Sequence, residues 1–162
     1  MGCLRILSRS FIAACFLMMT LSVAGQDGIK WENGTFSDAL AKAKEAAKPV
    51  FLDCYTSWCG PCKMMTNEVF TTKQAGGYFN ANFVNVSMDM EKGEGIGLAK
   101  KYGVSAYPTF IIIDCEGNET GRVIGADSIE NFIEKVEKAR STSLKVLLDN
   151  YLNTKDINLL PQ

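Results

Sequence analysis

The chain has no histidine among its 162 residues, and that absence removes several chemistries at once. Ser-His-Asp and Cys-His mechanisms have no base to work with, and no metal can be held through imidazole. A surplus of basic charge is also missing, since 17 Lys and Arg stand against 18 Asp and Glu for a formal net charge of -1. So balanced a chain has little with which to neutralise a phosphate backbone, which argues against nucleic acid as the main partner. No internal repeat or low-complexity tract interrupts it. What the chain does have is apolar content, 47%, enough to bury a real core in a length that suits one domain rather than two.

The first 25 residues read as a targeting segment rather than fold. Arg5 and Arg9 give a basic start, Phe11 to Val23 is an apolar stretch, and Ser22-Val23-Ala24-Gly25 supplies small residues for signal-peptidase cleavage. The stretch is short for a membrane span. In Ile12-Ala13-Ala14-Cys15 the apolar residues ahead of the cysteine run only from Phe11 to Ala14, short for a lipid-attachment site. Membrane association through an uncleaved signal or a lipid anchor is therefore the disfavoured reading. Cleavage removes Cys3 and Cys15 and leaves Cys54, Cys59, Cys62 and Cys115 in a periplasmic or otherwise exported protein, where disulfides form and persist.

Residues 26–140 read as one α/β domain. Phe36, Leu40, Ala43 and Ala47 recur at helical spacing, with Thr35 or Ser37 as cap and Pro49 as terminator. Val50 to Tyr55 reads as a buried strand, because its apolar residues do not alternate with polar ones. A helix follows through Met64, Met65 and Val69, then a second buried strand over Phe83 to Met88 and a short helix marked by Ile96, Ala99 and Tyr102. Thr109 to Ile113 and Glu119 to Ile124 read as a hairpin turned by Glu116-Gly117-Asn118, its second, more polar strand at an edge. Asp127 and Glu130 suggest a capping box for a last helix with Ile129, Phe132, Ile133 and Val136 inward. The fold class expected is α/β, a central mixed β-sheet with helices on both faces. Residues 141–162, with Leu144, Leu147, Leu148 and Tyr151, read as a C-terminal helical extension. It is open to packing on the domain, to oligomer formation or to a longer architecture.

The chemistry concentrates in Trp58-Cys59-Gly60-Pro61-Cys62-Lys63. Two thiols at this spacing, at a strand-to-helix junction, can close a disulfide within one helical turn. Cys59 falls near the helix N-terminus, where free N–H groups and the helix dipole stabilise a thiolate. That makes Cys59 the expected nucleophile and Cys62 the thiol that resolves the mixed disulfide. Pro61 restricts the backbone that presents both sulfurs. The same cysteines, with Cys54 and Cys115, leave a metal site as a distant third reading, below a non-catalytic binding module or holdase. Cys54 on its strand reads as an inert buried thiol and Cys115 as a free thiol at a turn, although a Cys54–Cys115 bond stays open on sequence alone.

This hexapeptide resembles the active-site motif of the thioredoxin superfamily. The resemblance extends over about residues 30–140: a strand carrying Asp53 precedes the motif, Tyr107-Pro108-Thr109 follows far downstream, and Gly125-Ala126 matches a later glycine. Tyr78, Phe79 and Phe83, with the export signal, look closer to exported thioredoxin-like proteins and the DsbD C-terminal domain than to cytosolic thioredoxin. The resemblance implies a thioredoxin-like fold and a thiol–disulfide oxidoreductase with no cofactor beyond its redox-active Cys59–Cys62 pair and no metal. It would act on disulfide-bearing proteins and be recharged by a membrane or soluble thiol reductant. The Gly-Pro dipeptide resembles the reducing end of the family, so a protein-disulfide reductase is expected.

The resemblance also implies that Asp53, buried and raised in pKa, is the general acid/base for Cys62. Typical thioredoxins carry a lysine near this aspartate, where this chain is expected to have Asn85. Pro108 is expected to be cis, leaving the Tyr107 and Thr109 backbones free to pair with an extended substrate strand. Trp58, Gly60, Pro61, Tyr107, Pro108, Thr109 and Gly125 would line that groove.

Overall fold

The computed structural model describes residues 28–142. The targeting segment expected over 1–25 and, past residue 142, the C-terminal extension fall outside the described residues.

Four strands form one mixed sheet in the order β2-β1-β3-β4. β1 is Val50–Tyr55, β2 Val84–Asp89, β3 Thr109–Ile113 and β4 Glu119–Ile124. β1 pairs parallel with β2 and antiparallel with β3, and β4 closes the hairpin at the sheet edge. Ahead of the first helix, Trp31 bridges in parallel to Asn85, so the incoming chain covers part of the free side of β2.

Alternation along β1 and β3 divides the core into two layers. Val50, Leu52, Cys54, Ile111 and Ile113 face Phe36, Ala39 and Ala43 of α1 (Phe36–Ala46) and Leu98 of α4 (Glu94–Lys101). Phe51, Phe110 and Ile112 face the other way, towards Met65, Val69, Phe79 and Phe132. There the Phe51 ring lies 4.6 Å from Phe79 and 5.7 Å from Phe110, and Phe110 lies 4.6 Å from Phe132.

Thr35 caps α1 in a reciprocal box with Asp38, and Ala47 ends it in the left-handed region. After the cysteine pair, α2 (Gly60–Met64) widens into a π-helical turn over Met65–Val69. The expected helix thus runs as far as Val69 but changes pitch. A separate helix, α3 (Lys73–Asn82), then follows with Thr72 as its cap; the sequence pattern did not disclose it. Gly76 in α3 is a packing requirement, because a Cβ there would lie 2.3 Å from the Gly28 carbonyl oxygen.

In α4, which forms where Ile96, Ala99 and Tyr102 mark it, Ile96 is 58% exposed and Gly95 and Leu98 are the buried residues. One expectation needs correction. The last helix, α5, from residue 129, is capped by Ser128, whose Oγ accepts from Asn131 N at 3.4 Å. Asp127 accepts from Ser128 N and the Asn131 side chain, so Glu130 forms no box with it. Phe132 and Val136 of α5 are fully buried, while Ile129 and Ile133 pack at the margin.

Candidate active site

β1 leads directly into the site. Thr56, just past its end, is buried, and its carbonyl accepts from Cys59 N at 3.1 Å, turning the chain into α2. Cys59 is the N-cap of that helix, with extended backbone, and its Sγ accepts from Cys62 N at 3.1 Å. Pro61 lies in the first turn, where a missing N–H leaves no helical bond unmade. Cys59 and Cys62 are joined as a disulfide, with Cα atoms 5.3 Å apart. Each cysteine is only 3% exposed. The N–H that a thiolate on Cys59 needs is therefore already aimed at the sulfur.

Trp58 projects from the rim, 64% exposed. Its indole N–H donates to Glu91 Oε2 at 2.9 Å, and its ring meets Tyr107 edge-on with centroids 5.9 Å apart. The Tyr107–Pro108 bond is cis, and the Pro108 carbonyl accepts from Gly125 N at 2.9 Å. Gly125 holds a φ of 89°, a conformation that favours glycine. Gly60 has open space where a side chain would stand. The fold thus brings Trp58 together with Tyr107, and Pro108 with Gly125, around the ends of β1, β3 and β4.

Thr109 departs from the expected groove. It pairs with Cys54 on one side and Ile124 on the other, and its hydroxyl donates to Ala106 O at 2.8 Å. Its backbone lies inside the sheet. Tyr107, by contrast, makes no backbone hydrogen bond among the described residues, so of the two it is the one free to accept an added strand.

Asp53 lies on β1 opposite Phe110 and Ser87. It is 2% exposed, and burial lifts its pKa to about 7, opposed by a hydrogen bond from Ser87 Oγ at 2.8 Å. Asn85 is therefore not the partner of this carboxylate. The parallel register sets Asn85 against Phe51, and its amide donates to Asn80 Oδ1 and Lys30 O instead. Ser87 and Glu91 are site residues that sequence reasoning missed; the register alone would have disclosed the first. Cys54 is a free thiol in the core, its pKa pushed up chiefly by burial, and Cys115 is a free thiol in the β3–β4 turn, hydrogen-bonded to Glu116. Among the described residues no three metal-ligating side chains of the His, Cys, Asp and Glu types come together.

The thioredoxin family model matches residues 28–138, which takes in both core layers and the whole cysteine site. The chain belongs to the thioredoxin family. A thioredoxin H-type of Oryza sativa subsp. indica is 39% identical over 110 residues, 67% of this chain and 84% of that protein. Among solved structures, a candidate disulphide isomerase from Bacteroides thetaiotaomicron is 45% identical with a TM-score of 0.64, over 72% of this chain and 96% of that one. The oxidised DsbD C-terminal domain of Neisseria meningitidis is 25% identical with a TM-score of 0.54, over 64% and 91%. As a thioredoxin-family member the chain is a thiol–disulfide oxidoreductase, with Cys59–Cys62 as its redox pair.

Proposed function

We propose that this protein is an exported reductase of protein disulfides. The observation that carries the reading is the Cys62 N–H aimed at Cys59 Sγ, at a helix start flanked by the unpaired Tyr107 backbone. In the dithiol form Cys59 Sγ attacks one sulfur of a substrate disulfide. A mixed disulfide forms and the first substrate sulfur leaves as a thiolate. Cys62 then gives its proton to the Asp53 carboxylate and attacks Cys59 Sγ, releasing the second substrate thiolate and closing the Cys59–Cys62 bond. Two electrons have passed to the substrate, and a thiol reductant, soluble or membrane-borne, returns them. Support for export is the basic start and the Phe11–Val23 apolar stretch followed by small residues. Trp58, Gly60, Pro61, Tyr107, Pro108 and Gly125 form the substrate groove, with Tyr107 supplying the backbone contact.

A Cys62→Ala variant tests the order of attack: it should accumulate mixed disulfides on Cys59 in its native compartment, and recovery of none sinks the catalytic cycle. Equilibration of the wild-type pair with glutathione tests direction. A potential above about -150 mV, near the oxidising end of CxxC proteins, overturns the reductase assignment.

A further inference from the structure

The rim of the groove carries a residue that the redox cycle leaves unused. Glu91 follows the end of β2 and reaches across to the residue before Cys59, where one carboxylate oxygen accepts the Trp58 indole N–H at 2.9 Å. Trp58 in turn stands edge-on to Tyr107. Glu91, Trp58 and Tyr107 are thus consecutive members of one wall, running from solvent to the unpaired backbone beside Pro108. The charge of Glu91 is unmatched there. Lys92 is committed to Asp89 at 2.9 Å, and Glu91 has no cation within ion-pair distance among the described residues. Glu91 and Asp89 also act electrostatically on the Tyr107 hydroxyl, raising its pKa behind the larger effect of burial. Negative potential therefore extends along the aromatic wall to the place where a substrate strand would lie.

We infer that Glu91 is a specificity-determining residue: it anchors the Trp58 indole and leaves a net negative charge on the groove rim, favouring protein disulfides whose cysteine is flanked by lysine or arginine. The inference rests on the reductase reading above. An exposed carboxylate meeting one substrate cation is a weak, salt-sensitive contact, so the effect is a preference and not an absolute requirement. Lys63, exposed one residue past Cys62, is the same in wild type and in Glu91 variants, so the change in peptide preference between them reads Glu91 alone.

The test uses the full chain in its dithiol form and three disulfide-bonded peptides identical except for Lys, Gln or Glu beside the reactive cysteine. Single-turnover rates should fall in the order Lys, Gln, Glu, with about a threefold step between neighbours at low salt, the scale of one exposed ion pair. The spread should close when salt is raised. In Glu91→Gln the amide oxygen still accepts the indole N–H but the charge is gone. The Lys-to-Glu rate ratio should fall about ninefold, the product of the two steps, while the Trp58 indole proton resonance keeps its hydrogen-bonded position. In Glu91→Leu that resonance should move as well. A ratio that survives in Glu91→Gln, or equal rates for all three peptides with the wild-type protein, overturns the inference alone. Failure to reduce any of the three overturns the reductase reading and this inference with it.

Discussion

Replacing Asp53 with asparagine should change stability by an amount that rises with pH, from a small loss at about pH 4 to a gain at about pH 8. Burial holds the carboxyl at about 7, against 3.8 for an ordinary aspartate. As pH rises through that interval the unfolded chain gives up this proton first, so the folded state binds more protons than the unfolded one. Stability contributed by the neutral carboxyl is then complete below about pH 4, lost progressively up to about pH 7, and level beyond. At about 1.4 kcal/mol for each pH unit, the loss reaches about 4 kcal/mol, a large share of the stability of a domain this size. Asparagine has nearly the same shape, can accept from Ser87 Oγ and cannot ionise. Its unpaired amide N–H adds a constant cost that does not vary with pH. The slope is therefore the diagnostic. Urea unfolding of oxidised wild type and Asp53→Asn at several pH values between 4 and 8 measures it, with the disulfide intact so that neither Cys59 nor Cys62 titrates. The variant's advantage should grow by several kcal/mol across that range. A difference that stays flat would show that Asp53 ionises at its ordinary pH, and would remove the physical basis for its role as proton acceptor.

Three other substitutions test the packing. Phe51→Ala, which removes a fully buried ring touching Phe79, Phe83 and Phe110, should cost about 3–5 kcal/mol in denaturant unfolding; a cost below 1 would mean the cluster collapses to fill the space. Gly76→Ala should destabilise by about 1–3 kcal/mol, since the new methyl meets a backbone carbonyl that cannot swing away, and an unchanged melting temperature would refute that close approach. Among the described residues the buried Thr56 hydroxyl has no partner, so the isosteric Thr56→Val should gain about 1 kcal/mol; a loss would reveal a hydrogen bond to that hydroxyl in solution.

The hairpin of β3 and β4 was legible to the residue, because Thr109 to Ile113 is an uninterrupted β-prone run and Glu116-Gly117-Asn118 is a strong turn. β1 was equally plain between Pro49 and the cysteine motif. Helix α3 was not, because Gly76-Gly77 dilutes its pattern and the reason for Gly76 is contact with Gly28, far away in sequence. Asp53 was found as a buried carboxylate, but its neighbour was misassigned. Which β2 residue faces it depends on Val50 pairing with Val84, a tertiary choice with no local signature. Thr109 was placed in the groove by its adjacency to Pro108, whereas the sheet claims its backbone from both sides. Glu91 carried no signal at all: a glutamate in a polar loop gains meaning only when the fold sets it against an indole.

The covering of the two sulfurs carries a kinetic consequence. With Cys59 and Cys62 each 3% exposed, the bond presents little surface to a thiol from solution, and under the proposed cycle the reductant must reach the same sulfurs that the substrate reaches. Under the proposed cycle the electron donor and the electron acceptor compete for a single doorway. They must then take turns, giving ping-pong kinetics in which each reactant inhibits the other at high concentration, and the donor must resemble a substrate in how it docks.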